Sequence, residues 1–229
     1  MVVLHFNPLS QPSRAVLMFL EVNGIPYVRK VIDLGRGEHR TAEFKKINPV
    51  QKVPVISDED FHLSESVAIL IYLATKHRVA DHWYPSNTEK RARVNEYLAW
   101  HHNNLRPPCG MLFFNEILLP ARTKKPVNTE EVEKCLSQLG EMFNKFESMF
   151  LKDSSFVCGE EISIADLLAV CEVMQAQATG HDVFKGHPKV KAWTDRVRLH
   201  MNPQFDDAHA VLYKVQNKRM KRKDTSSKL

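Results

Sequence analysis

Short apolar runs and helical stripes alternate over the first third of this chain, whereas the remainder carries helical stripes alone. Val2–Phe6 has strand length and reads as a buried strand. Pro12 suits the first turn of a helix, where a missing N–H costs nothing. Ala15, Val16, Met18, Phe19, Leu20 and Val22 give that helix its apolar face. Asn23-Gly24 ends it, because Gly24 can take the left-handed conformation that closes helices. Tyr27–Leu34 predicts a second strand, GRGEHR a flexible loop, and Thr41–Ile47 a short helix. Val53–Ile56 and Phe61–Leu63 form a hairpin across the turn DEDF. SVAILIYLATK, Ser66–Lys76, is strongly apolar and helical.

After His77 the segment HRVADHWYPSN lacks a periodic pattern and reads as a linker. Beyond it lie amphipathic helical segments at about 88–118, 129–150, 163–178, 188–200 and 205–219. Ser163-Ile164-Ala165-Asp166 has the form of a capping box, with Ile162 and Leu167 as its hydrophobic staple. Its loss should cost about 1 kcal/mol of stability. The order β-α-β-α-β-β-α is that of a thioredoxin-like α/β domain with a mixed four-stranded sheet, followed by an all-α domain. The expected boundaries are 1–77, a linker at 78–87, helices over 88–219, and a disordered basic tail at 220–229.

Composition narrows the function classes. With 43% hydrophobic and 26% charged residues, the 229-residue chain can bury a core and stay soluble. No apolar run reaches the roughly 20 residues of a membrane span. The start MVVLHFNP lacks the basic and apolar regions of a signal peptide, which points to the cytoplasm. Cys109, Cys135, Cys158 and Cys171 show no CxxC spacing and read as free thiols, so no metal site is expected. The net charge of +5 belongs to the tail: residues 214–229 sum to +6 and leave −1 for the rest. A nucleic-acid-binding face is therefore not expected, although KRMKRK leaves nuclear entry or anion binding open.

The candidate chemistry begins in NPLSQPSRAV, residues 7–16, with serines on either side of Pro12. Ser13 falls inside the first helical turn, where a hydroxyl tends to bond its own backbone. Ser10 precedes the helix and can either cap it or face a ligand above the sheet.

SQPSRAV, NPVQKVPVI, LSESVAILIYL, DHWYPS and SIADLLA, in this order and spacing, resemble the theta class of the cytosolic glutathione transferases over about residues 1–205. The resemblance implies that Ser10 stabilises the thiolate of glutathione, a co-substrate rather than a bound cofactor. A hydroxyl at a helix N-terminus suits that task, since it donates to sulfur where the helix dipole favours negative charge. It also implies a cis Val53-Pro54 peptide, with the Val53 backbone pairing with the tripeptide like an added strand. Glu65 and Ser66 would take the γ-glutamyl end, and His39, Arg40 and Lys52 the glycyl carboxylate. Arg106 would face the active site and stabilise charge, and Asn103 would stand near glutathione bound to a partner subunit of a homodimer. Met111, Phe113 and Phe114, with Leu112, read equally as the electrophile pocket or as core. His101 and His102 project about 100° apart on a helix and read as structural. A basic tail with few apolar groups implies that the C-terminal lid of the family is reduced or missing.

The expected reaction is conjugation of the glutathione thiolate to small electrophiles, with peroxide reduction or dehalogenation as side activities. A non-catalytic binding module of the same fold is the competing reading. A thiol–disulfide oxidoreductase is disfavoured, because no cysteine occurs before Cys109.

Overall fold

The computed structural model describes residues 1–226, with side chains as far as Lys221. Strand β1 (Val2–Phe6) is followed by helix α1 (Gln11–Val22), strand β2 (Tyr27–Val31), helix α2 (Ala42–Ile47), strands β3 (Val55–Asp58) and β4 (Phe61–Ser64), and helix α3 (Ser66–Lys76). The sheet order is β2-β1-β3-β4. β1 pairs parallel with β2 and antiparallel with β3, and β3 pairs antiparallel with β4. This is the expected mixed four-stranded sheet. β2 stops at Val31 rather than Leu34, because Asp33 and Leu34 turn away into a loop whose backbone is fixed by Glu38 and Asp33 carboxylates. The supposed flexible loop carries a 3-10 turn at Glu38–Arg40.

The remaining helices are α4 (Thr88–Trp100), α5 (Arg106–Phe113), α6 (Leu119–Thr123), α7 (Thr129–Phe146), α8 (Ile164–Gln177), α9 (Pro188–Met201) and α10 (Gln204–Ser226). One helix was expected over 88–118, but a turn at 101–105 splits it. Pro107 and Pro108 have no N–H to continue a preceding helix, and they suit the first turn of a new one. A π-helical turn, Phe114–Leu118, then joins α5 to α6.

Every residue of α8 from Ile164 to Ala176 is buried, so this helix forms the axis of the helical region. In α1, Ser13–Leu20 are all buried, because the helix packs on the sheet and α3 on one side and on α8 on the other. One continuous apolar core therefore crosses from the sheet into the helices. The linker is pinned to this core: Trp83 is buried and meets the Phe19 ring edge-on, with centroids 5.6 Å apart. At the start of α8, Ser163 Oγ accepts from Ala165 N (3.2 Å) and Asp166 Oδ2 from Ser163 N (2.9 Å), completing the capping box. Asp166 also accepts from Val157 N and Trp193 Nε1, so the box doubles as a knot in the core.

The tail corrects an expectation. Residues 220–226 continue α10 as helix instead of being disordered; 227–229 lie outside the described residues. Arg219 pairs with the buried Glu116, and Val215 and Lys218 line a groove with Ile117 and Pro120. Residues 215–219 are thus seated on the helical region. The pairing spans a hundred residues, which is why the tail's charge alone suggested only a solvated end.

Candidate functional site

A cleft of about 560 Å³ opens at the end of the sheet, lined by Ser10, Leu34, His39, Arg40, Val50, Gln51, Lys52 and Val53. Five residues singled out from sequence, Ser10, His39, Arg40, Lys52 and Val53, thus meet in one place. Three of them are cationic or potentially so, which makes this wall suited to an anion.

Local structure explains how Ser10 is presented. Its backbone is extended (φ −84°, ψ 120°), its N–H donates to Asn7 O (2.9 Å), and its carbonyl accepts the first helical bond from Arg14 N (3.1 Å). Its hydroxyl makes no capping bond. Ser13, by contrast, is fully buried, and its Oγ lies 3.5 Å from Asn7 N. The two serines divide as expected: Ser10 half-exposed at the helix mouth, Ser13 sealed behind it.

Two Asn-Pro dipeptides brace the cleft. Asn7 Nδ2 donates to Ile32 O (2.8 Å) while its Oδ1 accepts from Leu9 N (2.9 Å), fixing the Ser10 loop to β2. Buried Asn48 does the same across the cleft, with Nδ2 donating to Lys52 O (2.8 Å) and Oδ1 accepting from Val50 N (3.0 Å). Sequence reading missed both. Asx side chains before proline commonly hold turns, and that was the available signal. The Val53-Pro54 peptide is cis, as the resemblance implied.

Glu65 stands at the N-cap of α3 with φ 68° and ψ 111°, a left-handed conformation rare for a side-chain-bearing residue. Glu65 is exposed and Ser66 is buried beneath it. The first N–H groups of α3 and its dipole favour negative charge here.

The helical residues stand apart from this cleft. Arg106 Nε donates to Glu172 Oε1 (2.8 Å), and its Nη1 donates to His102 Nδ1 (3.2 Å). Glu172 is completely buried; burial pushes its carboxyl up, while Arg106, Arg14 and Gln11 favour the charged form. Asn103 is exposed, Phe113 is buried in the core, Phe114 is half-buried, and Met111 is 47% exposed. The three pocket candidates therefore point to different environments. His101 is buried, its Nδ1–H donating to Leu98 O (2.8 Å), and its pKa falls to about 3 through burial and the charges of His102 and Arg106. His102 is half-buried and meets Arg106 Nη1 through its Nδ1.

Arg14 is a second residue missed from sequence. It is fully buried, yet its Nη1 donates to Pro8 O (2.9 Å) and its Nη2 to Cys171 O (3.1 Å) and Gln175 Oε1 (2.8 Å). The loop that carries Ser10 is thereby tied to α8. All four cysteines are free. Among the described residues no group of three or more His, Cys, Asp or Glu could hold a metal ion, and no helix is long and apolar enough to cross a membrane.

Comparison with known proteins agrees with this geometry. Residues 10–76 match the glutathione S-transferase N-terminal domain, and residues 111–199 the C-terminal domain. Glutathione S-transferase theta-1 of Bos taurus is 42% identical over 215 residues, covering 93% of this chain and 90% of its own length. Theta-2 of Mus musculus is 39% identical over 213 residues, covering 93% and 87%. Among solved structures, apo human glutathione S-transferase T1-1 superposes with a TM-score of 0.91 at 39% identity, covering 95% of this chain and 91% of that one. Human theta-class transferase with the glutathione conjugate of 1-menaphthyl sulfate gives 0.90 at 38% identity, covering 97% and 91%. A Ser10 hydroxyl left free beside a cationic cleft, on this fold and at this identity, places the chain in the theta class of the glutathione transferases.

Proposed function

We propose that the cleft holds glutathione with its sulfur at Ser10 Oγ, and that the chain conjugates the thiolate to small electrophiles. A thiol near its ordinary pKa is mostly protonated at neutral pH, and a donor hydrogen bond with nearby positive potential lowers that value. Ser10 supplies the bond and the N-terminal end of α1 supplies the potential. In this reading His39, Arg40 and Lys52 receive the glycyl carboxylate, the Val53 backbone pairs with the cysteinyl unit, and Glu65 and Ser66 hold the γ-glutamyl end. Arg106 adds positive charge from the helical side, where Phe114 and Met111 border the electrophile.

Residues 1–77 thus bind the tripeptide and residues 88–219 its reaction partner. The enzyme works as a cytoplasmic homodimer, Asn103 reaching the glutathione of the partner subunit, and it reduces hydroperoxides and dehalogenates small haloalkanes as side reactions.

The observation that carries the reading is Ser10 itself, which lines the cleft and whose hydroxyl caps nothing. Ser10→Ala should lower kcat/KM about 10²–10³-fold, the usual loss of a charge-stabilising donor. The assay pairs glutathione with aralkyl halides, epoxides and hydroperoxides in turn. An unchanged rate sinks the mechanism, and failure to bind immobilised glutathione favours the non-catalytic module.

A further inference from the structure

Three polar side chains interrupt the buried length of helix α8: Asp166 belongs to the capping box and Gln175 accepts from Arg14, which leaves the Glu172 carboxylate in need of a reason. Glu172 is 0% exposed on α8, flanked along that helix by Leu168, Ala169, Val173 and Ala176, all buried. Burying a charge pair is no more stabilising than filling the same space with apolar groups, so packing alone does not account for it.

The surroundings of Glu172 converge on the active site. It takes the Nε–H of Arg106 at 2.8 Å. Gln11, next to Ser10 in sequence, lies near enough to favour its charged form. Gly110, one turn beyond Arg106, faces the same glutamine: a Cβ there would come within 3.5 Å of Gln11 Nε2. On its other side Arg106 touches His102, which in turn feels the charge of Glu65. The order Glu65–His102–Arg106–Glu172–Gln11 therefore runs from the start of α3, through the helical region, to the mouth of α1. Arg106 Nη2 and Glu172 Oε2 are both buried without a partner among the described residues, so the pair is joined through the Nε–Oε1 bond alone.

We infer that Glu172 is a positioning residue of the transferase reaction, holding Arg106 and Gln11 in register with the sulfur at Ser10. This rests on the assignment of Ser10 and Arg106 made above. Glu172 touches no substrate; it acts by fixing the direction of the guanidinium and by offsetting its charge. A misplacement of about 1 Å in such a group is enough to slow a reaction strongly.

The test uses the full chain with four variants: Glu172→Gln, Glu172→Asp, Arg106→Met and the double variant Glu172→Gln/Arg106→Met. Thermal unfolding checks that each folds. Glu172→Gln should lower kcat about tenfold, leave the KM for glutathione within about twofold, and lower the titration midpoint of the bound thiol, read from thiolate absorbance. The midpoint falls because Arg106 then acts without an opposing charge, a change that loosened packing does not produce. In the Arg106→Met background the Glu172→Gln change should have no further effect on kcat. If Glu172→Gln does not fold, Glu172→Asp carries the test: it keeps the charge, retracts it by one methylene, and should reduce kcat several-fold. Wild-type kcat and thiol titration in the folded Glu172 variants, with Arg106→Met slowed, overturn the inference while the reading of Arg106 stands. Additive losses in the double variant overturn it too. A fully active Arg106→Met removes the reading on which it rests.

Discussion

The Ser10 cleft and the helical wall behind it, whose polar groups lie in the core, are built on opposite principles. On the sheet side Ser10, His39, Arg40 and Lys52 sit on loops and short turns, open to solvent and largely without partners inside the protein. On the helical side Arg14, His101, Asp166 and Glu172 are fully buried, and each makes at least one specific hydrogen bond, although Arg14 Nε, His101 Nε2 and Glu172 Oε2 have no partner among the described residues. Groups that meet a ligand must keep their bonding capacity free. Groups that hold geometry commit most of theirs to fixed partners, because each buried unpaired polar atom is costly. Perturbing the first wall should change kinetics at nearly constant stability, and perturbing the second should change stability.

The largest effect is expected at Arg14, where the walls join. Arg14→Leu leaves Pro8 O, Cys171 O and Gln175 without their donor. Each buried acceptor left without its donor costs about 1–3 kcal/mol. Urea unfolding measures it, and a loss below 1 kcal/mol would show that the tie carries no load.

Acid should weaken the helical wall next. His101 and His209 are completely buried, each donates Nδ1–H to a backbone carbonyl, and burial lowers the pKa of each to about 3. A base with a depressed folded pKa binds fewer protons folded than unfolded. Its stabilisation is therefore complete above its unfolded value near 6.5 and is lost as pH falls toward 3. From pH 7.5 to 5 each histidine should remove roughly 2 kcal/mol. Comparing urea midpoints at the two pH values checks this, and His209→Asn should flatten the dependence.

Asn48→Ala tests the open wall. It removes a brace beneath Lys52 and Val53 and should cost about 1–3 kcal/mol, with a raised KM for glutathione and little change in kcat. A changed kcat at constant KM would contradict a purely binding role for that loop. The smallest effect is expected for Thr41→Ala, which removes the cap that accepts Phe44 N at 3.2 Å and should cost about 1 kcal/mol.

How far the sequence anticipated this arrangement follows from the range of each interaction. Ser10 could be separated from Ser13 because Pro12 fixes the helix start locally. The succession of strands and helices up to α3 followed from short-range patterns. The break at 101–105 was also written locally, in Pro107-Pro108, but the apolar stripe on either side masked it. Arg14 and Arg219 were invisible for a different reason: each looks like a surface cation on its own helix, and its partners lie 157 and 103 residues away. Glu172 also passed unnoticed, although it stands with Asp166 as one of two carboxylates inside the apolar IADLLAVCEVMQAQ.

The double-sided burial of α1 has a consequence for biosynthesis. The helix that follows the Ser10 loop leaves the ribosome well before α8, yet one of its faces packs on that helix, about 150 residues downstream. At roughly 5–20 residues per second, that face waits on the order of ten seconds or more for its partner. Throughout that interval the nascent chain exposes an apolar surface with Arg14 set in it. A chain truncated before α8 would stay in that condition permanently, an aggregation-prone fragment and not a working glutathione-binding half.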